Sequence, residues 1–211
     1  MPHDDIQIEP VPGLPERPPE GERILWQGRP DWWALTQESL SFWWVAGYFA
    51  FLTVWRFVSV MDMMPLTQAL GASIPFVILG AIVCGLLTLF AYIQARLTLY
   101  TVTTARVAMR IGAALTVTLN IPYRQVANAS LDLRRGGTGT IAFETMGETR
   151  LSYLVCWPHV RPWRMRKTQP ALRCIPEAER VAQMISEAAN ARISEPQVER
   201  LRPHGATMAA E

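Results

Sequence analysis

Hydrophobic and polar positions divide the chain into regions of different period. Residues 41–95 hold only two charged side chains, Arg56 and Asp62, and from Met63 to Ala95 there is none. "ALGASIPFVILGAIVCGLLTLFAYIQA" (69–95) exceeds the ~20 apolar residues that a helix needs to cross a bilayer. "FWWVAGYFAFLTVWRFVSVM" (42–61) is a second candidate span, joined to the first by "DMMPLTQ" (62–68). A soluble alternative, a helical pair buried inside a globular core, needs more covering mass than a 211-residue chain has left. The pattern predicts an amino-terminal arm over 1–40, a transmembrane hairpin over 41–95, a β domain with a carboxy-terminal helix over 96–193, and a disordered tail over 194–211.

After the hairpin the period drops from helical to two. In "RLTLYTVTTARVAMRIG" (96–112) Val107, Met109 and Ile111 alternate with Ala108 and Arg110, and in "LTVTLNI" (115–121) Leu115, Val117, Leu119 and Ile121 share one face. "SLDLRRGGTGTIAFE" (130–144) gives two strands around a glycine turn, and "RLSYLVC" (150–156) follows the Gly147 turn. Residues 97–157 are therefore expected to form an antiparallel meander of about five half-buried strands. "CIPEAERVAQMISEAANARI" (174–193) restores helical spacing. Pro176 is expected in its first turn, Glu177 and Glu179 at the positive end of its dipole, and Arg192 at the negative end. Val181, Ile185, Ala188 and Ala189 form its apolar stripe.

The arm contains a strand of its own. In "ERILWQGRP" Ile24 and Trp26 alternate with Leu25 and Gln27 until Gly28-Arg29-Pro30 stops the run. Open sheet edges need covering, so a strand over about 22–28 is expected to dock on the β domain across the hairpin, with Trp26 capping its core. Glu20 and Glu22 would then face that domain, and Trp32 and Trp33 would lie at the membrane surface. The alternative leaves all three tryptophans in the headgroup region.

Charge supports that docking. The net charge of +2 combines −5 over residues 1–40, zero over 41–95, +9 over 96–174 and −2 over 175–211. The connector 62–68 has no basic residue, whereas Arg29 precedes the hairpin and Arg96, Arg106 and Arg110 follow it. The positive-inside rule then puts both termini in the cytoplasm, with Trp43, Trp44, Tyr48 and Tyr92 at the interfaces. Arg56 lies close enough to the end of its span to snorkel outward, or it pairs with a charge on a partner inside the membrane. Cys84, Cys156 and Cys174 share no short spacing, so neither a disulfide framework nor a zinc site is indicated, and a reducing compartment fits.

"GERILWQGRP" before a membrane hairpin, then "YTVTTARVAMRIG" and "IPYRQV", resembles the bacterial pleckstrin-homology-like family. The longer leader "EPVPGLPERPPEGERILWQGRPDWWAL", with "VAGYFAFLTVWR", is similar to the PuhB-type photosynthetic complex assembly proteins of purple bacteria. The resemblance covers about residues 9 to 190. It implies an α+β membrane protein: a two-helix transmembrane hairpin plus a cytoplasmic antiparallel β domain of pleckstrin-homology type, its strands in two sheets closed by the carboxy-terminal helix. The usual seven strands are one more than the pattern supplies, and "PYRQVANA" (122–129) or the segment near Leu172 could provide the last. The resemblance also implies an inner-membrane assembly factor for the reaction centre and core light-harvesting complex, and it brings no catalytic motif.

No enzyme constellation stands out in the residues, and no cofactor is expected. "RRGGTGT" lacks the lysine and hydroxyl of a phosphate loop and has no following helix, so a hairpin turn accounts for it. His3, His159 and His204 are scattered, and His159 in "WPHVRPW" has no further ligand in view. The stronger candidate is "CWPHVRPWRMRKTQPALR" (156–173): from Arg150 to Arg173 there are six basic residues and no acid. Trp157, Arg161, Trp163, Arg164, Arg166 and Lys167 are either a solvated loop, a patch for anionic lipid, or a docking surface for an acidic partner. Nucleic acid is not indicated, because the patch is tethered at a membrane and no recognition helix is basic. In the second span Gly71, Gly80 and Gly85 would let a partner helix approach closely, whether from reaction-centre subunits or from a homo-oligomer. The competing function is a general envelope or lipid-surface protein unrelated to photosynthesis.

Overall fold

Apolar and small residues dominate Leu66–Leu97, which forms one helix, α3, with Pro75 inside it; with α2 (Phe42–Val60) it makes an antiparallel hairpin. The computed structural model describes residues 11, 13–14, 16–112, 116–134, 137–146 and 151–194. Gly80 permits the close crossing of the two helices, since a Cβ there would lie 2.7 Å from the Cβ of Phe49. Both helices are long and apolar enough to cross a membrane.

Among the described residues the remaining chain forms seven strands in two antiparallel sheets. The first sheet has the order β1 (Ile24–Gly28), β2 (Leu99–Thr103), β3 (Arg106–Ile111), β4 (Val117–Pro122). The second runs β5 (Val126–Leu133), β6 (Thr138–Thr145), β7 (Ala171–Pro176). A short helix α4 (Tyr153–Cys156) precedes β7, and α5 (Ala178–Ser194) follows it. The core lies between the sheets, where Tyr100, Val102, Met109, Ile141, Phe143 and Leu172 are fully buried. Val181, Ile185 and Ala188 of α5 close it, with Ala189 packed at its margin.

The expected single meander is thus two sheets, and three local assignments change. The run 96–112 is a hairpin, β2 paired with β3, because Thr103 Oγ1 accepts the N–H groups of Ala105 and Arg106 and so fixes a turn. The last expected strand, 150–156, is helical over Tyr153–Cys156. The third strand of that sheet is instead β7, with Ile141 opposite Leu172, and "VANA" lengthens β5 rather than adding a strand. Pro176 ends β7 instead of opening a helix. Cys174 and Ile175 are drawn into the sheet by their burial, and a proline, which has no N–H, is tolerated where the ladder stops. Helix α5 then starts after Glu177, whose carbonyl accepts the Val181 N–H.

The arm is tied to both sheets. β1 pairs with β2, with Trp26 opposite Val102, and the Trp26 ring packs on the core. Gly28 accommodates that ring, since a Cβ there would fall 2.2 Å from it. Glu22 accepts hydrogen bonds from Arg106 Nε at 2.9 Å and Thr103 Oγ1 at 2.7 Å, whereas Glu20 stays exposed. Asp31 caps α1 (Trp32–Ser39) through the Ala34 N–H, 2.7 Å, and its own N–H donates to the Cys174 carbonyl at 2.8 Å. Leu35 then packs on Ala95 of α3 and Cys174 of β7. α1 is a bracket joining hairpin and second sheet. The tail expected to be disordered lies, from residue 195 on, outside the described residues.

Candidate functional site

The basic, tryptophan-bearing segment is held as a closed loop. α4 begins when the Ser152 and Tyr153 carbonyls accept the N–H groups of Cys156 and Trp157. Past it, a short antiparallel ladder ties the loop base: Ala171 N–H to the His159 carbonyl at 3.0 Å and Arg161 N–H to the Gln169 carbonyl at 2.9 Å. Residues 162–167 are exposed beyond that base, and Thr168 returns to the interior. Trp163 stands on a left-handed backbone, φ 63°, and Arg164, Arg166 and Met165 are exposed beside it.

Buried groups anchor the base. His159 is fully buried, with Nδ1 2.6 Å from the Tyr100 hydroxyl and Nε2 3.0 Å from the Thr98 hydroxyl. The neutral ring has one donor and one acceptor, and both neighbours can match either tautomer. Burial, reinforced by the Arg173 charge, pushes its pKa down to about 3. It is a packed core group with hydroxyl partners, not a ligand in waiting. Arg173, also buried, donates from Nη1 to the Val160 carbonyl at 3.1 Å and lies 3.6 Å from Glu38. Glu38 of α1 pairs with Arg134 as well. Burial first, and the Glu38 charge second, push the Cys174 thiol far up, and burial raises Cys156, so neither is an activated nucleophile.

The six loop residues named from the sequence come together here, with different partners. Arg161 reaches Gln169 and Ser130, both neutral, at 3.3 and 3.5 Å. Lys167 pairs with Glu144 at 2.8 Å, and that hydrogen bond holds the Glu144 carboxyl below its ordinary range. Trp157 stacks on Phe90 of α3, ring centres 5.8 Å apart and planes 23° apart. The other named residues lie apart from this loop. Arg56 is exposed near the connector end of α2. Gly80 is filled by the chain's own Phe49, so it is not open to a partner helix, while a Cβ added at Gly71 or Gly85 would meet no described atom within 4 Å. Trp26 belongs to the core margin. Phe90, Glu38 and the Thr98–His159–Tyr100 group escaped sequence reasoning. Phe90 is one apolar residue among many, and the other pairings join residues about sixty to one hundred and forty positions apart.

Two antiparallel sheets closed by a carboxy-terminal helix, fed directly by a helical hairpin, agree with a family match: the bacterial PH domain model covers residues 44–189. The chain belongs to the bacterial PH domain family. The matched span includes most of the hairpin and all of β2 to β7, and β1 lies ahead of it. The chain is also 47% identical over 207 residues to a Rhodobacter capsulatus protein described as an uncharacterized 23.7 kDa protein in the puhA 5′ region, covering 97% of each. No solved structure matches the chain.

Proposed function

We propose that this bacterial PH domain protein is a PuhB-type, membrane-anchored scaffold that aids assembly of the photosynthetic reaction centre and core light-harvesting complex by protein contacts rather than catalysis. The observation that carries this is the near full-length relative in the puhA 5′ region, a reaction-centre gene region in a purple bacterium. The hairpin supports membrane anchorage: Trp44 and Met63 are each 83% exposed, and large apolar side chains line both helices. An apolar surface of that extent needs lipid or protein around it. The positive-inside rule then assigns both termini to the cytoplasmic face of the inner membrane. In this arrangement Gly71 and Gly85 offer close approach to transmembrane helices of nascent subunits, and Arg56 snorkels or meets an acid there.

Deletion of the gene tests the proposal. Near-infrared absorbance of membranes from photosynthetically induced cells is expected to fall for the reaction centre and core antenna, with recovery on complementation. Normal pigment–protein levels in the deletion strain overturn the assembly role and favour a general envelope function.

A further inference from the structure

The outward side of the 153–167 loop is not used by any contact described above. Leu154 and Trp163 are 85% and 89% exposed, and Val155 and Met165 are mostly exposed too. Arg161, Arg164 and Arg166 project among them, while Lys167 is neutralised by Glu144. The loop's height along the hairpin is fixed by Trp157 on Phe90. Two residues on, Tyr92 meets Trp32, centroids 6.2 Å apart, and lies under the Arg96 guanidinium at 5.2 Å. Trp32 touches Trp33, Trp33 touches Phe42 and Phe42 touches Trp43, at 5.8, 5.5 and 5.3 Å. A band of aromatic rings therefore girdles one end of the hairpin, where tryptophan and tyrosine mark a headgroup boundary. Trp157 meets α3 at nearly the same height, through Phe90, about two residues' rise from Tyr92.

We infer that the 153–167 loop is a lipid wedge: Leu154, Val155, Trp163 and Met165 enter the headgroup region of the cytoplasmic leaflet beside α3, and Arg164 and Arg166 bind anionic lipid phosphates. This rests on the hairpin spanning the membrane as proposed above. The height shared with the aromatic band selects lipid over an acidic protein as the occupant, because a loop held by Phe90 beside Tyr92 already meets the bilayer surface. Guanidinium groups pair well with phosphate oxygens, and the loop brings no acid of its own between Leu151 and Arg173. The wedge gives the β domain a second grip on the membrane, separate in sequence from the α1 bracket.

The test uses the full chain reconstituted in vesicles of phosphatidylcholine with or without phosphatidylglycerol. Met165→Cys and Leu154→Cys, each in a Cys84→Ser background, carry an environment-sensitive fluorophore; both positions are exposed, so labelling leaves the fold intact. The expected result is a blue-shifted emission quenched by lipids bearing a nitroxide near the headgroup. Replacing Arg164 and Arg166 with glutamine lowers the inserted-to-free ratio roughly fivefold for each charge in phosphatidylglycerol vesicles. Water-like, unquenched emission from a chain that floats with the vesicles and resists alkaline extraction overturns the wedge but leaves the hairpin standing. A chain that does not float overturns both. Shielding that arises only when reaction-centre subunits are added overturns the wedge in favour of a protein-docking surface.

Discussion

His159 shows how far a single ring can differ from the segment that carries it. "WPHVRPW" suggests an accessible basic stretch, yet the ring lies between the Tyr100 and Thr98 hydroxyls with no exposure. Its pKa is near 6.5 in the unfolded chain and about 3 in the folded one. As pH falls the unfolded state takes up the proton first. This contribution to stability is complete above about pH 6.5 and is lost between there and pH 3, at up to about 1.4 kcal/mol per pH unit. Denaturant midpoints of the detergent-solubilised protein are therefore expected to fall between pH 7 and pH 5. His159→Gln keeps one donor and one acceptor, costs about 1–3 kcal/mol at pH 7, and flattens that dependence. An unchanged slope in the variant would assign the titration elsewhere.

The arm strand β1 makes the corresponding prediction among the elements. Trp26→Ala removes a partly buried ring from the core margin and leaves space under β1, at a cost of about 2–3 kcal/mol, less than for a fully enclosed tryptophan. Limited proteolysis is expected to cut first between residues 16 and 31, and β1 amides to exchange before those of β2 and β3. Equal protease resistance would mean that β1 contributes little. Where one period persisted, the sequence was readable: the two apolar helices, β1 and the α5 stripe of Val181, Ile185 and Ala188 lie where their spacing suggests. It failed where short apolar runs have no period of their own. "SYLVC" alternates like a strand but turns into α4, and "ALRCI" has the composition of either state until pairing with β6 decides for β7. The candidate loop was visible as charge and tryptophan. Its attachment to Phe90 was not, because α3 gives no local sign of which ring faces the β domain.

Over the whole molecule, Glu38 is the joint between hairpin and β domain. Its carboxylate meets Arg173 and Arg134 while its own helix, α1, packs on α3 and β7. Glu38→Ala leaves Arg173 buried without its counter-charge, which costs about 3–5 kcal/mol. Hydrogen exchange is expected to quicken in α1 and β7 and to stay slow in the α2–α3 hairpin; uniform quickening would contradict a local joint. A related consequence comes from the end of α3. The helix ends at Leu97 and β2 begins at Leu99, leaving Thr98 alone between them. Thr98 is buried, its N–H held by Gln94 and its hydroxyl by His159. The junction has no slack. At about 48 Å the helix is longer than the roughly 30 Å of bilayer hydrocarbon, so in the spanning arrangement proposed above a change of lipid thickness that leans α3 over swings the entire β domain sideways with it, as a mast moves its rigging.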